Sequence, residues 1–324
     1  MTTVFVTGGT GLIGSEVCKK LFDKGYKVVI YDFFLNYARD FNEAYPAFLS
    51  LRMKDLKDKA TIIKGDIRHQ AHLQRALDES KPDYFIHLAA VPLANISSKF
   101  SEEIFDVNIK GTRNVLEAVR EYNKIKRFIF TSSSMVYGNF VREPADEEHP
   151  TNPIELYGGT KLAGEILTKT FSNHYKIDYT IIRPSAVYGH LDANKRMPQM
   201  FIENALLGKP LVLDGGGVSK LDFSHVRDVA EGFVLAMESE KAVNQTFNLT
   251  RGNARSVREF AEIIKKHIPS TQLTVGEADK FRPNRGTLDI SKARKLIGYE
   301  PKVDIEQGIA EYVEFLRQNM HVIK

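Results

Sequence analysis

The sequence predicts an α/β fold: a doubly wound parallel sheet with helices on both faces and a smaller, mostly C-terminal lobe. Three observations predict it. Short runs of β-branched and aromatic residues alternate with 3.6-period apolar segments as far as Pro184. The first run, Val4-Phe5-Val6, enters a turn with Gly8, Gly9, Gly11 and Gly14, and Leu12 to Leu21 then reads as a helix. The second run, Val28 to Tyr31, ends in Asp32, about 18 residues past Gly14.

The elements follow in order. Residues 33–60 form a long polar and aromatic connection that includes a helix. Thr61-Ile62-Ile63 is a short strand, His72 to Ser80 a helix, and Asp83 to Ala90 a buried strand. Ile104, Val107, Ile109, Val115, Leu116 and Val119 keep helical spacing, so one long helix is expected from Glu102 to Tyr122. Phe128-Ile129-Phe130 is a strand, Leu156 to Tyr175 a long helix and Tyr179 to Ile182 the next strand. Beyond Arg183-Pro184 the pattern loosens. Helices are expected near Met197–Leu207, Val226–Met237, Val257–His267, Ser291–Ile297 and Ile305–Gln318, with a strand at Thr246–Leu249. The expected division is a nucleotide-binding domain over 1–184, rejoined by the strand and helix near 226–250, and a substrate lobe from 185–225 and 251–324.

Composition bounds the rest. The chain has 324 residues, 43% hydrophobic and 27% charged, with a net charge of +4. That is ordinary for a globular protein, and no isolated basic block points to nucleic acid. No apolar run approaches membrane-spanning length, and no leader peptide is expected ahead of the first strand. Cys18 is the single cysteine, so no intrachain disulfide forms, and a cytoplasmic setting is expected. No metal-ligand spacing is present.

Three features carry chemistry. Glycines at 8, 11 and 14 let backbone approach a pyrophosphate, which a helix N-terminus attracts. Asp32 is placed to bond ribose hydroxyls and to repel a 2′-phosphate, which favours NAD; nearby Arg39 keeps NADP in view. Tyr157 and Lys161 lie four apart and share a helix face. A lysine ammonium beside a tyrosine lowers the phenol pKa, which suits it to exchange a proton with an alcohol while a nicotinamide exchanges a hydride. The Thr131-Ser132-Ser133-Ser134 run supplies hydroxyls at a strand end.

The motifs TGGTGLIG, GDI (65–67), HLAA (87–90), NIKGT (108–112), TSSSMVYG (131–138), YGGTK (157–161) and RPSAVYG (183–189) occur together and in order. In this the chain resembles the extended short-chain dehydrogenases with a Rossmann-type domain, and among them the nucleotide-sugar epimerase/dehydratase group. The resemblance implies that Gly8, Gly11, Leu12, Ile13 and Gly14 hold the NAD pyrophosphate. Asp32 would hold the adenosine ribose, Asp66 and Ile67 the adenine. Leu88, Ala89 and Ala90 would line the cofactor cleft, with Asn108 facing the nicotinamide half and Pro184 near the nicotinamide. Ser133, with Ser134 second, is the implied catalytic hydroxyl, Tyr157 the acid/base and Lys161 its partner and ribose ligand. The resemblance further implies a homodimer or higher homo-oligomer, paired through the helices near 102–122 and 156–175.

The departures narrow the reaction. Relatives that eliminate water carry Asp-Glu after the catalytic residue, and decarboxylating relatives a Glu; this chain has Ser134-Met135. Relatives that epimerise C3 and C5 use a Cys and a His, and Cys18 is in the wrong place for that. Oxidation at C4 of a nucleotide-diphosphate sugar remains, with 4-epimerase favoured, net 4-dehydrogenase as the alternative, and a non-catalytic dinucleotide sensor as the reading from another class. Substrate contacts are expected from Ser133, Ser134, Arg282, Lys195 and Arg196; Arg282, in FRPNRG, matches a diphosphate-binding arginine of the family, and Lys195, Arg196 and Arg285 are further candidates for that contact. The family's Arg-Asp-Phe reads Leu221-Asp222-Phe223 here, and its R-x-x-N reads Arg183 to Ala186.

Overall fold

A computed structural model describes residues 1–34, 44–92, 101–278 and 283–323. The central sheet has seven strands: β1 (Thr3–Thr7), β2 (Lys27–Asp32), β3 (Thr61–Lys64), β4 (Tyr84–His87), β5 (Arg127–Thr131), β6 (Tyr179–Pro184) and, from far along the chain, a strand at Gln245–Leu249. All pair in parallel, in the spatial order β3-β2-β1-β4-β5-β6 and then Gln245–Leu249. The order reverses between β1 and β4, and in such sheets ligands bind at the carboxyl ends beside that reversal.

The central strands are largely apolar and buried because both faces are covered. Their side chains alternate between two cores. Val4, Val6, Val28, Ile30, Ile86, Ile129 and Ile182 face α1 (Leu12–Asp23) and a later helix, Val226–Glu238. Phe5, Tyr31, Phe85, Phe128 and Phe130 face the other way. Phe5 stacks on Phe85 with ring centroids 5.2 Å apart, and Phe85 meets Phe128 at 5.6 Å. This aromatic layer is closed by α3 (Gln70–Ser80), α5 (Thr112–Tyr122) and α6 (Leu156–Tyr175); α2 (Tyr45–Leu56) and the four-residue α4 (Ser101–Ile104) precede α5 in the chain.

The long helix expected over 102–122 is interrupted. Between α4 and α5, Phe105–Gly111 winds as a π-helix, a form that recurs at functional sites. The wider turn brings Asn108 inward, where its amide accepts from Val91 N at 2.8 Å and donates to Thr160 Oγ1 at 3.1 Å.

The remaining chain builds a lobe over the strand ends from paired two-to-four-residue strands: Val187–Tyr188 with Ser224–His225, Leu211–Asp214 with Leu273–Gly276, and Lys220–Leu221 with Arg255–Ser256. Helices Met197–Leu206, Val257–His267 and Ile305–Gln318 pack on these strands and on one another. Val257–His267 starts with a capping box, the Ser256 hydroxyl accepting from Glu259 N while Glu259 accepts from Ser256 N. Asp222 ties the lobe together, accepting from Thr250 Oγ1, Arg251 N and Leu288 N at 3.0–3.1 Å. Its carboxyl is pushed up to about 6 by burial. Residues 283–289 then run back to the loop after β5, where Phe140 N donates to Asn284 O at 2.8 Å and Ala145 N to Thr287 O at 2.9 Å. No helix among the described residues is long and apolar enough to cross a membrane.

Candidate active site

One cavity of about 500 Å³ lies along the carboxyl ends of the strands. Its floor at β1 is the glycine turn. A Cβ on Gly14 would stand 2.2 Å from Gly8 O, so only glycine lets α1 begin this close to the strand. The helix opens at Gly11 with no capping side chain and no acid in its first turn. Its first amides and the positive end of its dipole are therefore left for an anion. At the end of β2, Asp32 Oδ2 accepts from Thr10 N at 3.0 Å and Thr10 Oγ1 at 2.8 Å, and Oδ1 from Phe34 N at 2.8 Å. This carboxylate is aimed at the cavity by the glycine turn itself. After β3, Asp66 is buried; against the burial that would raise it, hydrogen bonds from Arg68 hold its carboxyl below the usual range. These residues fit a dinucleotide: a pyrophosphate at Gly11 to Gly14, a ribose at Asp32 and a base by Asp66 and Ile67. Gly8, Leu12, Ile13, Leu88, Ala89, Ala90 and Pro184 line the same cavity.

Asn108 does not line the cavity. Its amide is spent on Val91 and Thr160, one turn from Tyr157 on α6, so it braces that wall from behind.

The other end of the cavity sits between β5 and α6. A Cβ on Gly164 would lie 2.3 Å from Phe130 Cζ, so this glycine lets α6 press against β5. Lys161, three residues earlier, is thereby buried, and its Nζ donates to Thr131 O at 2.9 Å. Ser133 follows in extended conformation, its hydroxyl accepting from Met135 N at 3.2 Å. Ser133, Ser134, Tyr157 and Lys161 all line the cavity.

The electrostatics differ in one respect from the expectation that Lys161 tunes Tyr157. Burial pushes the Tyr157 phenol up to about 12, and the opposing pull comes from the Arg196 guanidinium and the Ser133 hydroxyl. Lys161 sits over the ring face, 5.8 Å from its centroid, not at the phenol oxygen. Burial lowers its own pKa from 10.5 to about 8. A lysine depressed in the fold binds fewer protons there than in the unfolded chain, so folding stability rises with pH between about 8 and 10.5. Urea melts across that window should show this rise, and Lys161→Met should remove that part of the slope; an unchanged slope would mean the ammonium is not desolvated.

Beneath Ser133 lies a buried network. Ser132 Oγ donates to Glu165 Oε1 at 2.5 Å, Arg183 grips both Glu165 oxygens at 2.8 and 2.7 Å, and Arg183 Nη1 donates to Tyr137 OH at 2.9 Å. His87, at the end of β4, bridges Thr7 Oγ1 and Thr112 Oγ1 at 2.7 and 3.2 Å; burial, then the Lys161 charge, lower its pKa to about 3 and keep it neutral.

The chain belongs to the NAD dependent epimerase/dehydratase family. The sequence model of that family matches residues 4–250. A putative UDP-glucose 4-epimerase of Methanocaldococcus jannaschii is 32% identical over 98% of this chain and 99% of the relative. The UDP-glucose 4-epimerase of Mycolicibacterium smegmatis is 33% identical over 96% and 97%. The UDP-glucuronic acid 4-epimerase of Bacillus cereus, solved with UDP-glucuronic acid and NAD, superposes with a TM-score of 0.90 at 27% identity, covering 98% of this chain and all of that one.

Where the family's substrate side is expected, placement is mixed. Lys195 and Arg196 line the cavity, but each is held by a buried acid: Lys195 Nζ meets Glu203 at 2.6 Å, and Arg196 meets Asp192 at 2.8 Å. Arg282 lies outside the described residues. Leu221 lines the cavity at the family's arginine position. Ala186 adopts φ +38, the left-handed region that suits the family's asparagine better than alanine.

Two residues of the site carried no motif signal. Arg52, from the connection after β2, is buried and donates to Thr10 O at 2.8 Å and Leu191 O at 2.7 Å, joining glycine turn to lobe. Glu155, at the N-cap of α6, lines the cavity two residues before Tyr157. A lone arginine in a polar stretch, or a glutamate before a helix, looks like surface until the chain is folded.

Proposed function

We propose that the chain is an NAD-dependent 4-epimerase of a nucleotide-diphosphate sugar, with Tyr157 as acid/base, Ser133 as the hydroxyl that holds the reacting oxygen, and Lys161 as their positioning cation. The observation that carries it is the meeting of Ser133, Tyr157 and Lys161 with the glycine turn and Asp32 in one cavity. NAD, when bound, supplies the acceptor for the C4 hydride and gives it back. Tyr157 receives the O4 proton as that oxygen becomes a carbonyl, and Ser133 hydrogen-bonds it throughout. Returning hydride and proton to the opposite face of C4 inverts the centre with no net redox change. The cavity has Met135 where an eliminating or decarboxylating relative carries an acid, so no second proton-transfer pair follows the serine.

A nucleoside diphosphate is the handle, and the relatives named for UDP-sugars support uridine as its base. Exposed Phe105, Ile166 and Tyr175, near and along α6, support self-association through that face. The single cysteine, Cys18, is buried as a thiol, which suits a reducing cytoplasm.

Purified protein given UDP-glucose and UDP-glucuronate should return the C4 epimers with no net NADH. NADH accumulating with a keto sugar would make the enzyme a net dehydrogenase. Bound NAD with neither sugar converted nor bound would favour a dinucleotide sensor.

A further inference from the structure

A cation is buried where the glycine turn, the lobe and the cavity meet. Arg52 is 2% exposed and lines the cavity. Its guanidinium is held by carbonyls alone: Nη1 donates to Thr10 O at 2.8 Å, and Nε and Nη2 donate to Leu191 O at 3.1 and 2.7 Å. The other two arginines buried as deeply, Arg127 and Arg183, each meet a glutamate, at 3.6 and 2.7 Å. Among the described residues Arg52 forms no ion pair. Asp192 and Asp32 act on it at longer range, but Asp32 is taken up by Thr10 and Phe34, and Asp192 by Arg196 and Asn194. A guanidinium out of water without an anion is destabilising, and burial pushes its pKa down. Three of its five N–H groups are used, which leaves two for a ligand that brings the charge. The uncapped helix N-terminus at Gly11 draws an anion to the same place.

We infer that Arg52 is a positioning residue that takes a pyrophosphate oxygen of the bound dinucleotide and, through Leu191, orders lobe residues 189–196, so that cofactor binding completes the wall that carries Arg196. Leu191 is followed by Asp192, which is fully buried and accepts from Arg196 Nε and Nη2 at 3.1 and 2.8 Å. Asn194 N donates to Asp192 Oδ1 at 3.2 Å, and Lys195 N to Gln199 Oε1 at 2.7 Å. Lys195 holds a left-handed φ of +51, a strained conformation that persists only where the surroundings fix it. The segment is thus a knot anchored at Arg52, and its far end brings Lys195 and Arg196 into the cavity with Tyr157. With an anion in place the guanidinium is neutralised where it stands, and its hold on Leu191 O lasts. Without one, the same charge is drawn toward water, and the segment loosens with it. The phosphate is one of the pyrophosphate pair and not a 2′-phosphate, because Asp32, bonded to the same Thr10, repels a second charge at the ribose.

The test uses the wild type, Arg52→Met and Arg52→Lys, each freed of NAD. It reads NAD affinity by calorimetry, and amide hydrogen exchange across 189–196 with and without saturating NAD. No sugar is involved, so the result stands whatever the reaction proves to be. Arg52→Met should bind NAD about ten- to a hundred-fold more weakly, the size of a charged hydrogen bond. Saturating NAD should slow exchange over 189–196 by about five-fold or more in the wild type, the low end of coupling between two sites. It should not do so in Arg52→Met, even with the site filled. Arg52→Lys keeps the charge but not the fork that bridges Thr10 and Leu191, so it should retain much of the affinity and lose the protection. An Arg52→Met variant that binds NAD like the parent, or that NAD protects as it does the parent, overturns the inference. So does wild-type exchange over 189–196 that is indifferent to NAD. A wild type that binds NADP more tightly than NAD would put a 2′-phosphate on Arg52 and overturns the assignment to the pyrophosphate. Should Arg52→Met not fold, as its melting curve without NAD would show, the other two proteins decide: protection in the wild type and not in Arg52→Lys supports the inference, and the same response in both overturns it.

Discussion

Replacing Tyr157 by Phe is expected to lower kcat for 4-epimerisation by roughly a hundred- to ten-thousand-fold, the range for a positioned acid/base. NAD content should stay unchanged. The variant removes only the phenol oxygen. The ring remains on α6, Lys161 still donates to Thr131 O, and the glycine turn and Asp32 are untouched. Burial already opposes the phenolate here, so the deprotonated form depends on the Arg196 guanidinium and the Ser133 hydroxyl. Arg196→Met should therefore move the limb on which activity rises with pH to higher pH, while Tyr157→Phe leaves no such limb to shift. Turnover within a few-fold of the parent in Tyr157→Phe would assign the proton transfer elsewhere, and Glu155, two residues away along the same wall, would be the next residue to replace.

The second large effect is on stability. Glu165→Ala should cost about 3–5 kcal/mol, because it leaves a buried guanidinium without its counter-charge. Glu165 and Arg183 have side-chain exposures of 1% and 4%, so water cannot replace the lost partner. By contrast, the exposed pair Arg142–Asp146, at 46% and 43%, lies in the class that contributes about 0–1 kcal/mol. At roughly 2–4 °C per kcal/mol for a large domain, the melting temperature of Glu165→Ala should fall by about 10 °C. Ser132 loses its acceptor in the same variant, and Ser133 follows it in the chain. The residual folded enzyme should thus lose kcat more than NAD affinity. Replacing both partners, as Glu165→Leu with Arg183→Met, should recover much of the stability, since no charge is then stranded. A Glu165→Ala variant that melts with the parent would show that the pair does not hold the strand end.

Much of this molecule is local in the chain and legible there. The alternation of apolar runs with 3.6-period segments predicts the parallel sheet, because a strand buried on both faces needs continuous apolar residues. The glycines at 8, 11 and 14, Asp32, and the Tyr157–Lys161 spacing each need only neighbours within one βα unit or one helix turn, so their placement followed from the sequence. Several helices, among them Val257–His267 and Ile305–Gln318, begin and end at the residues expected. What the tertiary structure decided involves partners far apart in sequence. The inward turn of Asn108 depends on Val91 and Thr160. The pull on Tyr157 comes from Arg196, not from Lys161 four residues away, because packing of α6 on β5 at Gly164 sends the lysine to a backbone carbonyl. Arg52 acquires its role only when Leu191 arrives over the glycine turn. Spacing along one element predicts direction on that element, but the field at a site is summed over every chain segment that closes around it, and only the fold brings those segments together.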